Sequence, residues 1–258
     1  MIQIPMNRFD KRALCSAAAF ALLAASIGCS SIFRRGEPSG PELMLEKAIT
    51  QGGGEHALES ARALIWDGDA TVTAGGRTVH ITGKWAIEPP EKAVVSTYDI
   101  SGGPSTMSHL VVNAPKGWLV RDGQFRPMPA SILANELDAF RLYDVMRLLP
   151  LRGRKLKAIA NDADGRHGFR ADISGHPDID LFFDRTGRLR HFRTMVTDAM
   201  SGKPVPEDIY LERTIQANGV KWPRIMRFTL NGKPYFDLRI KSLRVSERLR
   251  DKLLEGPA

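Results

Sequence analysis

The feature that most restricts the fold of this chain is a long succession of short segments in which apolar and polar residues alternate. The clearest segment covers residues 78–87, where four apolar residues share one face: Val79, Ile81, Trp85 and Ile87. A period of two with β-branched residues indicates an antiparallel strand with one buried face. Pairs typical of two-residue hairpin turns, such as Asn218-Gly219 and Asn231-Gly232, separate later segments. The sequence therefore predicts about ten to twelve antiparallel strands.

One longer helix interrupts these strands. Residues 131–149 lie between Pro129 and Pro150, and their second half is apolar on most sides, which predicts a helix packed on several sides. Ahead of the strands, residues 41–63 predict two short helical pieces broken at the glycines 52–54. Strands and helices do not alternate, so a parallel sheet is excluded. We expect a mainly β (α+β) fold: a single antiparallel meander curled into an unclosed half-barrel around a central plug helix.

The pattern of the second half of the chain is equally regular. It predicts strands at 156–160, 168–173, 179–183, 189–196, 209–216, 220–230 and 234–245. An amphipathic tail at 246–254 predicts a short last helix.

The first 28 residues have the composition of an export signal. Three basic residues (Arg8, Lys11 and Arg12) precede about fifteen mostly apolar residues at 13–27. This run is short and alanine-rich for a transmembrane helix.

The signal ends in Ser26-Ile-Gly-Cys29, which resembles a bacterial lipobox, although Leu is usual where Ser26 stands. The resemblance implies that Cys29 receives a diacylglycerol and becomes the mature N-terminus. Ser30 and Ser31 follow, and the absence of Asp there implies sorting to the outer membrane. An ordinary signal peptide cut between residues 26 and 31 is the alternative. We expect a signal at 1–28, a lipidated tether at 29–41 and one folded domain at 42–258.

Composition removes several classes of function. The chain has 258 residues, of which 43% are hydrophobic and 26% are charged, and this is typical of a globular protein. Its formal net charge of +8 fits either an affinity for anionic lipid, lipopolysaccharide or peptidoglycan or an ordinary colloidal charge. No nucleic-acid motif is present, so we expect no nucleic-acid partner.

The residues that usually carry catalysis form no motif. Both cysteines, Cys15 and Cys29, lie in or beside the signal, so the folded domain contains no disulfide and no thiolate metal site. The six histidines show no metal-ligand spacing, and no serine nucleophile motif occurs. Residues 161–165 are similar to a calcium loop but lack its first acidic ligand, which predicts a surface turn. We expect no enzyme activity, no metal and no cofactor.

The order of elements resembles the lipoprotein-localisation fold of LolA and LolB, over residues 42–245. Two short sequence segments also support the resemblance: Leu64-Ile-Trp-Asp-Gly-Asp-Ala70 and Gly232-Lys-Pro-Tyr-Phe-Asp-Leu238. That family handles the acyl chains of lipoproteins between two membranes, so the resemblance implies lipid binding in the cell envelope. No functional residue of the family aligns with this chain.

Large apolar residues on the expected core face are the candidates for lining an acyl-chain cavity: Trp85, Trp118, Phe140, Met146, Phe182, Phe228 and Phe236. The alternative is that they only fill the core. The expected function is that of a lipid-anchored outer-membrane protein, facing the periplasm, that binds an acyl chain or a lipoprotein. A structural subunit that docks a protein partner on its curved sheet is the second hypothesis, and an envelope hydrolase is the third. A cavity of a few hundred cubic ångströms favours the first, and a filled interior with an exposed apolar patch favours the second.

Overall fold

The computed structural model describes residues 40–100, 107–121, 123–174, 176–198 and 202–254. The predicted export signal, Cys29 and all but the last two residues of the predicted tether lie outside these ranges. None of the helices in this part of the chain is long and apolar enough to span a membrane.

Two helices precede the sheet, as the sequence predicts: α1 (Gly40–Gly52) and α2 (Glu55–Ser60). The break between them depends on Gly53, whose φ angle is 126°. A Cβ atom on Gly53 would lie 2.3 Å from the carbonyl oxygen of Gly219. Only glycine allows this approach, because any other residue would clash with backbone rather than with a movable side chain.

The first wing of the sheet is a six-stranded meander that we call the N-terminal wing. Its strands are β1 (Ala63–Ala74), β2 (Arg77–Glu88), β3 (Lys92–Asp99), β4 (Met107–Asn113), β5 (Lys116–Arg121) and β6 (Gln124–Pro127). Helix α3 (Ala130–Met146) follows, and then a 3-10 helix at Leu149–Leu151. The helix was predicted to reach residue 149. It ends earlier because Leu148 adopts a φ of 66°, which is incompatible with an α-helix.

The second wing, the C-terminal wing, is also a meander. Its strands are β7 (Leu156–Ile159), β8 (His167–Ala171), β9 (Ile179–Phe183), β10 (Leu189–Thr197), β11 (Pro204–Glu212), β14 (Ile225–Leu230) and β15 (Lys233–Ser246). Between β11 and β14 the chain forms a separate ribbon of β12 (Ile215–Ala217) and β13 (Val220–Trp222).

The two wings join through β1 and β15 into one sheet of 13 strands, in the order β6-β5-β4-β3-β2-β1-β15-β14-β11-β10-β9-β8-β7. The predicted mainly β fold with an open antiparallel sheet is confirmed. The chain starts at the centre of the sheet, runs outward to β6, crosses through α3 to the opposite edge at β7, and returns to the centre. The meander is thus made of two halves joined at β1 and β15.

Three strand predictions differ from the structure in detail. The segment 209–216 is split because Arg213 adopts a φ of 54° between β11 and β12. The segment 220–230 is split at Pro223, which has no N–H to donate to a neighbouring strand. Strand β6 was not predicted, and only a 3-10 turn at Asp251–Leu253 forms where a last helix was expected.

We call the face of the sheet that α3 covers the inner face. At its centre, Trp66 of β1 is 1% exposed and stacks on Trp85 of β2 with ring centroids 6.2 Å apart. Tyr143 of α3 packs on the other side of Trp66, at 5.4 Å. The same core extends under the C-terminal wing, where three phenylalanines are almost fully buried: Phe169, Phe183 and Phe192.

The two halves of α3 differ in how firmly they are held. The second half buries Phe140, Val145 and Met146. Just past its end, Arg147 pairs with Asp144 and donates to the carbonyl oxygen of Leu58 at 3.3 Å. No residue of the first half, 130–139, is buried, although two leucines there are partly covered. The second half is therefore the anchor of this helix.

Candidate functional site

The inner face of the sheet is the candidate site, because the sequence predicts that an acyl chain binds among the apolar residues of this face. Of the seven predicted lining residues, four belong to the buried core: Trp85, Phe140, Met146 and Phe228. A fifth, Phe236, is partly buried and packs edge-on against Phe228, with ring centroids 5.2 Å apart. Trp85, Phe228 and Phe236 lie on the inner face of the sheet, as the alternation predicts. Phe140 and Met146 belong to the same core from the side of α3.

The other two predicted lining residues lie on the opposite, outer face, so the prediction that they share the core face is wrong. Gly117 faces α3, since a Cβ atom there would lie 2.9 Å from Leu133 Cδ1. The next residue, Trp118, consequently points away from α3 and pairs across the strands with Val111.

Phe182 also points to the outer face, because side chains alternate along its strand. Its neighbours Leu181 and Phe183 both enter the core, so Phe182 must point outward. Its ring stacks on His191, with ring centroids 4.9 Å apart and an angle of 12°. The sequence holds two consecutive phenylalanines here, and alternation alone cannot say which one faces inward.

Much of the inner face is filled, but a strip of it is only half-covered. Ile81, Leu110 and Leu119 of the N-terminal wing and Leu133 and Leu137 of α3 are all partly buried and pack against the core. Leu133 approaches β5, since a Cβ atom on Gly117 would lie 2.9 Å from its Cδ1. We call these five side chains the apolar strip.

Two cavities in the described part of the chain each include one of the predicted lining residues. A cavity of about 60 Å³ lies near the end of α1, and Met146 is the one predicted lining residue on its wall. A larger concavity of about 750 Å³ opens on the outer face, where Phe182 is the one predicted residue. Neither matches the predicted cavity of several hundred cubic ångströms behind the sheet.

Carboxyl groups lie on the inner face among the apolar side chains. Glu207 of β11 is 6% exposed and accepts a hydrogen bond from the Tyr235 hydroxyl. Burial raises the pKa of Glu207, and the bond from Tyr235 offsets only part of this effect. Burial also raises the pKa of Glu136, on the first half of α3.

Tyr143 connects these two acids. Burial raises the pKa of its hydroxyl, and the nearby charges of Glu136 and Glu207 raise it further. Burial and Glu207 raise the pKa of Tyr235 in the same way. The ring of Tyr235 lies 6.1 Å from that of Phe228. The inner face thus carries a small group of hydrogen-bonding residues beside its aromatic side chains.

A histidine on the outer face lies between two carboxylates. The Nδ1 atom of His191 is 3.2 Å from Asp162 Oδ2, and its Nε2 atom is 2.7 Å from Asp208 Oδ1. Its ring is stacked between Phe182 and Tyr210, the latter at 4.6 Å. Each ring nitrogen of His191 therefore lies within hydrogen-bond distance of a different carboxylate.

Arginines complete this outer cluster. Arg193 donates to Asp208 at 2.7 Å, and Arg166 pairs with Asp162 at 3.0 Å. Burial acts to raise the pKa of Asp162, but hydrogen bonds from the Arg166 backbone and from His191 outweigh it and lower the pKa. The predicted surface turn at 161–165 is therefore tied to the sheet by the buried Asp162 side chain.

The outer cluster around His191 does not present the parts of an active site. The two nitrogens of His191 both face carboxylates, which leaves no position for a nucleophile beside it. Among the described residues, no group of three histidine, cysteine, aspartate or glutamate side chains is arranged to hold a metal ion. Sequence reasoning missed both His191 and Glu207, because their environments depend on how distant strands pair.

Two solved structures are similar in fold to this chain. A LolA superfamily protein from Nitrosomonas europaea matches with a TM-score of 0.53 and 12% identity, over 85% of this chain and 99% of that one. A DUF1329 family protein from Desulfovibrio piger matches with a TM-score of 0.57 and 10% identity, over 84% of this chain and 98% of that one. No protein-family model and no curated protein sequence matches the chain significantly. The fold is thus LolA-like, as the resemblance predicted.

Proposed function

We propose that this protein binds an acyl chain, of a lipid or of a lipoprotein, between the first half of α3 and the N-terminal wing. The half-covered apolar strip carries this proposal. Leu110, Leu119, Leu133 and Leu137 are all only partly buried, and Leu133 lies against β5, where a Cβ atom on Gly117 would come within 2.9 Å of its Cδ1. Each methylene buried there contributes about 0.8 kcal/mol, so six of them contribute about 5 kcal/mol before entropic costs.

The unequal anchoring of α3 supplies the necessary movement. The second half is fixed by buried side chains and by the bond from Arg147 to Leu58. The first half has no fully buried residue and is held only by partly buried side chains such as Leu133 and Leu137 and by the contact of Asp138 with His176 at 3.3 Å. Lifting this half widens the strip while the core around Trp66 stays packed.

The polar head of an acylated ligand has partners nearby. Glu136 lies one turn from Leu133 on the same half of α3, and a carboxyl group accepts hydrogen bonds from amide or amine groups. Glu207 and Tyr235 extend this set on the sheet. An acylated peptide presents both an apolar chain and such donors, so it fits the strip better than a hydrocarbon alone.

The proposed location is the periplasmic face of the outer membrane, through a lipid on Cys29. The sequence Ser26-Ile-Gly-Cys29 and the serines after it support this part of the proposal. The fold supports it in general terms, because one of the similar structures is a LolA superfamily protein.

Native mass spectrometry of the full chain, produced in a bacterium with an envelope and extracted in mild detergent, tests ligand and anchor together. A bound lipid leaves at moderate collision energy, whereas a diacylglycerol on Cys29 remains as added covalent mass. We expect both. If the protein is empty, and stays empty after incubation with phospholipid and an acylated peptide, the acyl-binding proposal is wrong.

Two adjacent residues of α3 provide a matched pair of variants. Leu133→Lys puts a charge into the apolar strip, whereas Ile132→Lys changes a side chain that is already 40% exposed. We expect Leu133→Lys to carry about tenfold less lipid and Ile132→Lys to resemble the wild type. Equal occupancy in both variants would place the ligand elsewhere.

A docking function is the second candidate, and the filled core favours it. Trp85, Phe140, Met146 and Phe228 all belong to one buried core cluster. Tyr98 and Ile100, at the end of β3, are 41% and 60% exposed and offer an apolar contact. An empty protein in the experiment above, together with loss of a co-purifying protein in Tyr98→Ser, would support docking instead.

A further inference from the structure

The small cavity near the end of α1 lies outside the proposed acyl site and has a different chemistry. Four of the residues that line it are cationic: Arg188, Arg190, Arg213 and Lys221. No acidic side chain contributes to it. Its volume of about 60 Å³ is several times the ~15 Å³ that one water molecule needs. The space therefore holds a group of several heavy atoms.

A buried donor without a partner forms part of the same wall. Trp222, on β13, is 2% exposed, and its indole Nε1–H has no acceptor among the described residues. A buried N–H group without an acceptor is rare in folded proteins, because its lost hydration is not replaced. Because the ring of Trp222 lines the cavity, its indole N–H signal reports on a group that enters it.

Most of the positive charge around the cavity is not neutralised. Arg190 pairs with Asp184 at 2.7 Å, and Arg188 Nη1 lies 3.4 Å from the Thr214 hydroxyl. Arg213 and Lys221 form no ion pair within the described part of the chain. Three of the four cations therefore lack a carboxylate partner, and their field favours an anion of charge greater than one.

We propose that this cavity binds a phosphate group. The guanidinium groups of Arg188 and Arg190 match phosphate oxygens in geometry, and the ring of Trp222 forms part of the wall beside them. Arg213 and Lys221, at the exposed rim, add charge. The phosphate comes either from a lipid headgroup or from a soluble phosphate monoester, and both present the same oxygens.

The indole N–H signal of Trp222 gives a direct measurement. The full chain, labelled with 15N on its tryptophans and kept in a neutral detergent, is titrated with inorganic phosphate and separately with dihexanoyl phosphatidic acid. Trp222→Phe identifies the signal by its disappearance. We expect saturable movement of the Trp222 signal, with the other three indole signals nearly unchanged. Saturation by both probes means recognition of the phosphate group itself, and saturation by the lipid alone assigns the source to a headgroup.

Two double variants, each of which removes two positive charges, distinguish binding at this cavity from general attraction of an anion to a positively charged protein. Arg213→Gln with Lys221→Gln removes the rim charges, and we expect the apparent Kd to rise about tenfold. Lys116→Gln with Arg126→Gln removes two exposed charges from the N-terminal wing, and we expect a change of less than about twofold. If neither probe moves the Trp222 signal, or if both variants weaken binding equally, no phosphate site exists here.

Discussion

Glu207 and Asp208 are consecutive residues of β11, yet their side chains meet opposite surroundings. Asp208 points to the outer face and contacts both His191 and Arg193. Glu207 points to the inner face, where Tyr235 is its hydrogen-bond partner and burial raises its pKa. Because side chains alternate along a strand, Asp208 faces the arginine Arg193 on the outer face, whereas Glu207 faces the neutral hydroxyl of Tyr235 on the inner face.

The difference extends beyond this strand. Asp162 and Asp184 have lowered pKa values because hydrogen bonds and arginines outweigh their burial. Glu136 resembles Glu207, since burial raises its pKa. The first group stabilises the fold when ionised, and the second group destabilises it. Residues that a fold retains at a cost in stability are candidates for ligand contact, which agrees with the proposed site on the inner face.

The largest expected effect comes from removing the His191 side chain, which both outer carboxylates contact. His191→Ala leaves Asp162 and Asp208 buried beside each other with one partner fewer, and we expect a loss of about 4 kcal/mol in the free energy of unfolding. Urea denaturation at pH 7 measures it. His80→Ala is the control, because His80 is exposed and bonds only Thr71. A loss below about 1 kcal/mol would show that the outer cluster contributes little.

An intermediate effect is expected at Asp184. Burial opposes ionisation, but the bonds from Thr186 and Arg190 lower its pKa to about 2. Its stabilising contribution is therefore present above the ordinary value of about 3.8 and is lost as the pH falls through 2. We expect Asp184→Asn to cost about 2 kcal/mol at pH 7 and almost nothing near pH 2. A difference that is independent of pH would contradict this origin of the stability.

The smallest effect is expected at Glu207, with the opposite sign. Its raised pKa means that the native state binds its proton more tightly than the unfolded state does, so stability falls as the pH rises above the ordinary value. Glu207→Gln keeps an acceptor for Tyr235 and removes the charge. We expect a gain of about 1 kcal/mol at pH 7 that disappears below about pH 4. A loss of stability at pH 7 would mean that the carboxylate has a cationic partner.

The parts of the fold that local patterns specify were predictable. Strand β2 follows from the alternation at 78–87, and the break between α1 and α2 follows from three consecutive glycines. The resemblance to LolA and LolB predicted the open sheet around α3. Each of these signals lies within a short stretch of sequence or in the order of such stretches.

The candidate site was less predictable, because it depends on contacts between distant strands. Asp162 looked like part of a surface turn, and its burial follows only from the pairing of β9, β10 and β11. The phenylalanines at 182 and 183 both fit a buried face, so the pattern could not assign their directions. Trp222 is apolar in any sequence pattern, and its unsatisfied indole N–H appears only once the surrounding side chains are in place.

The pairing of β1 with β15 has a consequence for how the chain folds. Ala63 pairs with Ser246, so the centre of the sheet joins residues that are almost the whole domain apart. Each wing is a meander of local contacts and can form early, whereas the contact between the wings closes a very long loop and forms slowly. Until β15 pairs with them, β1 and β14 each have an unpaired edge at which another chain can bind and aggregation can begin. The last strand to emerge during synthesis thus completes the sheet.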